Sequence, residues 1–178
     1  MPFPTSIQTE HLLLRTWNDG DRDSLFKLNS DPKVMEFFPT LLSATESTEA
    51  FGRIQKHWNR YGFGLFAVED LIEKSFIGFV GIVHVDFDCF FTPSVEIGWR
   101  LLPDFWGKGY ASEAAISTLK YGFQELNVTE IVSFTSVLND RSKSVMKKIG
   151  MEFITEFPHP NLPMSHRLSK HVLYKKVK

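Results

Sequence analysis

The sequence has little of several features that would place it in a specialised class. It holds one cysteine, Cys89, among 178 residues, which excludes an intramolecular disulfide and a cysteine-rich zinc site and fits a reducing cytoplasm. Basic residues number 20 and acidic residues 21, so net charge gives no reason to expect nucleic acid or an anionic membrane as a partner. No apolar stretch approaches the ~20 residues of a membrane span, and residues 1–10 lack the pattern of a secretory signal. We therefore expect a cytoplasmic protein with no nucleic-acid and no membrane partner.

Metal-ligand spacing is also missing from the sequence. His159, His166 and His171 are scattered near the C-terminal end and do not form a metal-ligand spacing, so we expect no metal. There is no internal repeat and no low-complexity segment. What remains is the composition of an ordinary globular protein, 43% hydrophobic and 23% charged. The length predicts a single domain spanning residues 1–178, and most of the 17 phenylalanines are expected to fill its core.

The hydrophobic periodicity predicts strands and helices in a definite order. Ser43 to Glu46 matches a capping box, and the apolar residues from Ala50 to Tyr61 recur at helical spacing. Ser94 to Leu101 alternates like a strand, with Glu96, Gly98 and Arg100 together on one face. The whole chain reads β-α-α-β-β-β-α-β-α-β-β. Hairpins combined with helical crossovers predict an α/β (α+β) fold, in which helices pack on a mixed sheet.

The sharpest local motif is a glycine loop between a predicted strand and a predicted helix, Trp106-Gly107-Lys108-Gly109-Tyr110-Ala111. The start of a helix has unpaired N–H groups and the positive end of its dipole, and glycines let the backbone approach an anion. The loop therefore predicts a pyrophosphate site. It lacks both the nucleotide P-loop ending and the dinucleotide-fold spacing. A plain glycine turn, or a loop that binds ATP or NAD, remains an alternative on this motif alone.

The segments around this loop carry a resemblance to a known family. The run Val95 to Leu101, then Pro103, the glycine loop and Glu113-Ala114, resembles the acetyl-coenzyme A motif of the GNAT superfamily of N-acetyltransferases. Asn139 to Ser142, followed by Val145 to Met151, resembles the second motif of the ribosomal-protein N-terminal acetyltransferase branch, and the opening residues 9–15 are typical of it. The resemblance implies a mostly antiparallel, splayed sheet of about seven strands flanked by helices. Two neighbouring parallel strands, ending near Leu101 and Leu138, would separate to admit the cofactor.

The resemblance also implies which positions hold acetyl-coenzyme A (acetyl-CoA). The backbone of residues 99–101 would line the pantetheine arm, residues 107–112 would hold the pyrophosphate, and Asn139 would contact the arm. Trp106 stands where many relatives have glutamine or arginine. The implied cofactor-binding set is Trp99, Arg100, Leu101, Trp106, Gly107, Lys108, Gly109, Tyr110, Ala111, Ser112, Asn139 and Ser142.

The implied chemistry is direct attack of a neutral amine on a thioester, which needs a base, a group for the oxyanion and an acid for the leaving thiolate. Glu96 is our candidate base, acting through water; a surface charge or a partner for Arg100 is the structural alternative. A backbone N–H near Trp99 is the candidate for the oxyanion. Many relatives place a tyrosine as the acid where this chain has Met146. The serine matching Ser142 is a proposed donor in the branch, so Ser142 is our candidate acid; a helix-cap role is the alternative.

Three functions remain open from the sequence. The first is an N-acetyltransferase whose acceptor is a protein N-terminal α-amine, and the second is the same enzyme acting on a small amine. The third is a module that binds coenzyme A (CoA) without catalysis, which the methionine at position 146 motivates. We expect residues 31–47 and the loop Phe87 to Thr92 to build the acceptor groove. Members of the family often dimerise, so a homodimer is one assembly that the resemblance allows.

Overall fold

The structure is a computed structural model that describes residues 5–178. Four helices and eight strands follow one another along the chain, with short 3-10 turns before the first helix and after the fifth strand. The strands are β1 (Ser6–Gln8), β2 (Leu12–Arg15), β3 (Leu65–Asp70), β4 (Phe76–His84), β5 (Val95–Leu101), β6 (Glu130–Ser136), β7 (Glu152–Pro158) and β8 (Lys170–Val177). The helices are α1 (Arg22–Ser30), α2 (Ala44–Tyr61), α3 (Tyr110–Gln124) and α4 (Asp140–Lys148).

All eight strands belong to one sheet in the order β1-β2-β3-β4-β5-β6-β8-β7. Every neighbouring pair is antiparallel except β5 and β6, which are parallel. The predicted mixed, mostly antiparallel architecture is confirmed. The sheet has one strand more than the seven or so expected. The additional strand is β1, which pairs with β2 and whose three residues are too few to show a periodicity in the sequence.

The helix ends follow from local capping chemistry. The Ser43 side chain accepts a hydrogen bond from the backbone N–H of Glu46, and the Glu46 carboxylate accepts one from the backbone N–H of Ser43, so α2 begins in the predicted capping box. It ends at Gly62, whose φ of 74° is left-handed and suits glycine. Asn139 caps α4 by accepting a hydrogen bond from the backbone N–H of Ser142 at 3.1 Å. These caps fix where each helix starts relative to the sheet.

The alternation along β5 divides the molecule into two sides. Val95, Ile97 and Leu101 are buried in the main core, where α3 and α4 also pack. Glu96 and Arg100 point to the opposite side, where α1 and α2 form a second apolar cluster. The predicted assignment of residues to the two faces of β5 therefore agrees with the structure.

The sheet opens between its two parallel strands. Within the described part of the chain, β5 and β6 are registered only at Glu96–Val132, although each strand has seven residues. One residue further along both strands, the Ser133 hydroxyl still donates a hydrogen bond to the Ile97 carbonyl at 2.9 Å. Beyond it the strands separate, so backbone groups of both edges face the gap. No helix among residues 5–178 has the length and apolar character needed to cross a membrane.

Candidate active site

A cavity of about 690 Å³ occupies the split between β5 and β6 and continues to the starts of α3 and α4. Four parts of the chain form most of its walls: residues 96–101 of β5, residues 105–112 without Lys108, residues 133–135 of β6, and, around α4, Asn139, Arg141, Ser142, Ser144, Val145 and Lys148. Phe37 and Phe38 close it from the segment that joins α1 to α2. Every residue predicted to bind the cofactor lines this cavity except Lys108.

The glycine loop lies at one end of the cavity and has the features that an anion site requires. Gly107 and Gly109 have φ values of 75° and 86°, which side chains of L-residues rarely adopt. The backbone N–H of Glu113 donates to the carbonyl of Gly109, so the N–H groups of the turn before it have no helical acceptor. The Lys148 Nζ would lie 3.9 Å from a Cβ at Gly109. Free N–H groups, a helix start and a cation fit the pyrophosphate of acetyl-CoA.

Of the basic side chains near this loop, Lys108 was expected beside the anion site and does not line the cavity, whereas Lys148 and Arg141, for which no position was expected, do line it. Lys108 points away from the cavity, with its Nζ 4.8 Å from the centre of the Phe105 ring. Lys148, which the sequence analysis did not select, takes the place beside the loop. Arg141 also lines the cavity, stacks 4.4 Å above the Trp106 ring and forms a 2.7 Å ion pair with Glu36. Arg141 and Lys148 are seven residues apart and share one face of α4, a spacing that a helical projection would have revealed.

The start of α4 brings the predicted second motif to the cavity. The Asn139 side chain both caps the helix and donates from Nδ2 to the Thr135 hydroxyl at 3.1 Å. Ser142 lies in the first turn and lines the cavity. Met146, one turn later, is fully buried in the main core. The position where relatives carry tyrosine therefore points into the core of this chain, and Ser142 is the hydroxyl that α4's first turn presents beside Asn139.

Glu96 lines the cavity at the point where the strands begin to separate. Burial, with a smaller contribution from the nearby Asp86 carboxylate, raises the pKa of Glu96 to about 8. Its carboxylate forms no hydrogen bond or ion pair with any residue from 5 to 178, so the structural alternative of an Arg100 partner is not what the geometry shows. Gly98, two residues on, leaves open space on the same face, since a Cβ there would meet nothing within 4 Å.

Arg100 is anchored on the same side of the sheet. Its Nη1 donates to the Asn29 side-chain oxygen at 2.6 Å, and its guanidinium lies 4.0 Å from the centre of the Phe38 ring and 5.1 Å from that of Phe79. Asn29 in turn donates to the Ser47 hydroxyl at 3.1 Å. Burial lowers the pKa of Arg100 to about 10, so the side chain is charged at neutral pH. From the sequence, only the backbone of Arg100 was expected to contact the cofactor.

The expected acceptor groove is only partly where the sequence placed it. Val34, Phe37 and Phe38 of the segment 31–47 line the cavity. The loop Phe87 to Thr92 does not line it, although the rings of Phe87 and Phe91 pack against Phe134, which does. Cys89 lies in this aromatic cluster, partly buried. Within residues 5–178 no group of three or more histidine, cysteine or acidic side chains is placed to hold a metal ion.

A splayed sheet with a cavity in the split and an anion site at the adjoining helix start defines the class of acyl-CoA-dependent transferases. The comparisons with known proteins agree. Residues 11–152 match the family model described as an acetyltransferase (GNAT) domain. An N-acetyltransferase of Bacillus subtilis, YnaD, is 36% identical over 82% of this chain and 81% of its own length. An FsC-acetyl coenzyme A-N(2)-transacetylase of Aspergillus fumigatus is 31% identical over 85% of this chain and 67% of its own. The chain belongs to the GNAT family of acetyltransferases, as its motifs predicted.

Solved structures agree on the fold. A GNAT acetyltransferase from Bacillus anthracis superposes with a TM-score of 0.79 at 29% identity, covering 97% of this chain and 98% of its own. A ribosomal-protein-S5-alanine acetyltransferase from Vibrio fischeri gives 0.76 at 19% identity, covering 98% and 97%. A spermidine N-acetyltransferase from Vibrio cholerae, in complex with CoA and spermine, gives 0.75 at 22%, covering 94% and 95%. The last two share the fold with this chain yet act on different acceptors, so the fold does not identify the acceptor.

Proposed function

We propose that this chain acetylates a primary amine by direct attack within a ternary complex of enzyme, acetyl-CoA and amine. The observation that carries the proposal is one continuous cavity. It joins the anion site at the start of α3 to the carboxyl group of Glu96 through the split in the sheet. A cofactor that spans the split would have its phosphates at the helix start and its acyl end near the unpaired carboxylate.

Different residues of the chain have separate roles in catalysis and in cofactor binding. Acetyl-CoA, when bound, supplies a thioester whose carbonyl a neutral amine attacks. Glu96 accepts a proton from the ammonium form of the acceptor, through a water that the open space at Gly98 admits. Ser142, in the first turn of α4, donates a proton to the departing sulfur and regains one from the attacking nitrogen as that nitrogen becomes an amide, so the hydroxyl is restored. Residues 107–112 and Lys148 hold the phosphates, and residues 99–101 with Asn139 hold the arm.

The acceptor belongs to the proposal as well. The resemblance of the motifs to the ribosomal-protein branch favours a protein N-terminal α-amine. Such an amine has a pKa near ~8, against ~10.4 for a lysine side chain, so it needs little help to lose its proton. A small amine remains the alternative, and a homodimer is compatible with either.

A second candidate function is a module that binds acyl-CoA without transferring the acyl group. It is motivated by Met146, which is fully buried and has no proton to donate where relatives have tyrosine. CoA binding would then depend on the anion site and on the residues that hold the arm, and no acetyl transfer would depend on Glu96 or Ser142.

Titration calorimetry with acetyl-CoA, coupled to a thiol-release assay on N-terminal peptides and small amines, separates the two functions. Micromolar binding together with thiol release for at least one amine supports the enzyme. Binding without release on any amine supports the module, and no binding at all contradicts both.

A further inference from the structure

Arg100 is a partly buried cation for which residues 5–178 supply no anion. Its Nε atom is inaccessible to solvent and has no hydrogen-bond acceptor, and no ion pair joins Arg100 to any residue from 5 to 178. The contacts it does make are all neutral: the Asn29 amide and the faces of Phe38 and Phe79. Removing a guanidinium from water without a counter-charge is unfavourable. The burial that lowers the pKa of Arg100 reflects this desolvation.

A chain of hydrogen bonds through neighbouring side chains fixes the position of the Arg100 guanidinium. Asn29, which holds Nη1, is itself buried and fixed by the Ser47 hydroxyl of α2. The guanidinium is planar, presents several donors and is held in place before any ligand arrives, which is how proteins recognise carboxylates. Arg100 also lines the cavity. An anion that enters this cavity therefore meets a preorganised guanidinium whose Nη2 makes no hydrogen bond with any residue from 5 to 178.

The anion has two conceivable sources, a phosphate of the cofactor or a carboxylate of the acceptor. The anion site for phosphate lies at the start of α3, beside Lys148 and on the side of the sheet that packs α3. Arg100 projects to the other side, toward α1 and α2, on the same face of β5 as Glu96. The acceptor is the ligand that must approach Glu96, so its anion is the better match.

The strand also sets the distance between the two charged groups. Four residues of a strand place the Cα atoms of Glu96 and Arg100 ~13 Å apart. Gly98 lies midway and adds no side chain, so the face between them is open. The floor of the cavity thus has an acid at one end and a cation at the other.

We propose that Arg100 binds a carboxylate on the acceptor, so that the substrate is a primary amine whose carboxylate lies several bonds from the nitrogen. This inference rests on the proposed function, because it names the class of amine acetylated. It applies equally to a small amino acid and to a peptide whose first residues carry an acidic side chain.

A series of acceptors tests the proposal, in which the distance from amine to carboxylate increases and each carboxylate is matched by a neutral amide. The acceptors are glycine, 4-aminobutyrate, 6-aminohexanoate and the peptide pair Ser-Glu-amide and Ser-Gln-amide, with each free amino acid paired to its carboxamide. The measured quantity is the ratio of kcat/KM for each carboxylate to that of its neutral partner. It is compared among the wild type, Arg100→Gln and Arg100→Lys. Arg60→Gln is the matched control, since Arg60 lies 5.1 Å from the centre of the Tyr61 ring at the exposed end of α2, outside the cavity.

We expect the wild type to favour at least one carboxylate over its neutral partner by about tenfold or more, as a hydrogen-bonded charge pair predicts. The ratio should fall to near one in Arg100→Gln, recover in part in Arg100→Lys and stay unchanged in Arg60→Gln. A wild-type ratio of one or less for every pair contradicts the proposal. So does an Arg100→Gln variant that loses both members of a pair equally, because that result describes a purely structural side chain.

Two binding measurements separate the remaining outcomes. Calorimetry of CoA with wild type and Arg100→Gln identifies the other source: a weaker affinity for CoA in the variant, without any carboxylate preference, assigns the anion to the cofactor and overturns the proposal. If no amine is acetylated at all, the proposed function fails. Titration of the carboxylate-bearing acceptors into the CoA complex then still tests the role of Arg100. Binding by the wild type that is lost in Arg100→Gln supports the carboxylate site, and no binding by the wild type refutes it.

Discussion

At the scale of single residues, the carboxyl group of Glu96 depends most on its surroundings. Its position on β5 and its face were predictable from the alternation of the strand, because period-two patterning fixes both. Its raised pKa was not predictable, since it arises from burial and from Asp86, which belongs to the loop that follows β4. Side-chain direction also escaped prediction: Lys108 lies over Phe105, and Lys148 faces the glycine loop instead.

The raised pKa predicts how activity depends on pH. A base with a pKa of about 8 is deprotonated only above that value, so kcat/KM should rise with pH and level off above about pH 8. The assay should use an acceptor whose amine pKa lies well below this range, because an α-amine with a pKa near ~8 would itself titrate within it. Glu96→Gln should lower the plateau of kcat/KM by about a hundredfold and remove its rise with pH, which is the limb that Glu96 causes. Asp86→Asn, which removes a nearby negative charge, should move the limb to lower pH. A limb that persists unchanged in Glu96→Gln would assign it to another group.

The same pKa has a consequence for stability. A carboxyl group whose pKa is higher in the folded than in the unfolded state binds more protons when folded, so its contribution to stability falls between pH 4.5 and about 8. Glu96→Gln should therefore gain in free energy of unfolding, relative to wild type, as the pH is raised through that range. Urea unfolding at pH 5 and pH 8.5 measures the difference. An equal effect at both pH values would contradict the buried position of the carboxyl group.

Ser142 is tested by separating turnover from binding. Ser142→Ala should lower kcat by about tenfold, because a thiol of pKa near ~8.5 leaves with only modest help from an acid. The affinity for CoA should stay the same, since the backbone N–H of Ser142 remains bonded to Asn139. Ser144→Ala is the matched control, because the Ser144 hydroxyl already donates to the Asp140 carbonyl at 2.8 Å. An equal loss of kcat in both variants would favour a helix-packing role.

At the scale of elements, the capped helices and the alternating strands were predictable because their determinants are local. The capping box at Ser43 and the cap at Asn139 each involve residues within four positions along the chain. The opening of the sheet was implied only by the resemblance. No residue within β5 or β6 forces the strands apart by its propensity, since the split arises from pairing across distant segments. The part of the cavity wall formed by Val34, Phe37 and Phe38 lies in a segment with no periodicity at all.

Gly98 provides the element-scale test, because β5 is both a core strand and a wall of the cavity. A Cβ at position 98 meets nothing within 4 Å, and valine is well suited to a strand. Gly98→Val should keep or raise the melting temperature while it lowers kcat/KM by tenfold or more, since the added side chain occupies the space on the Glu96 face. Gly52→Val in α2 is the control: a Cβ there also meets nothing within 4 Å, and position 52 does not line the cavity. Full activity in Gly98→Val would show that substrates do not use this face.

At the scale of the whole molecule, a ligand in the split connects parts of the sheet that share few direct bonds. β5 and β6 are registered at a single residue pair within the described chain, and the same cavity is lined by α3 and α4. A cofactor that bridges these elements binds only the folded state. It should therefore stabilise the whole molecule, and not only the loop that it touches.

CoA should accordingly raise the melting temperature in a concentration-dependent manner. At a hundredfold excess over Kd the added stability is ~2.7 kcal/mol, which for a chain of this size corresponds to roughly 5 to 10 °C. ATP and NAD serve as controls, since each carries phosphates but lacks the pantetheine arm that we assign to the split. We expect neither to displace CoA nor to match its shift. An equal shift with ATP or NAD would mean that the glycine loop recognises phosphate alone, and the assignment of the β5–β6 gap to the arm would then be wrong.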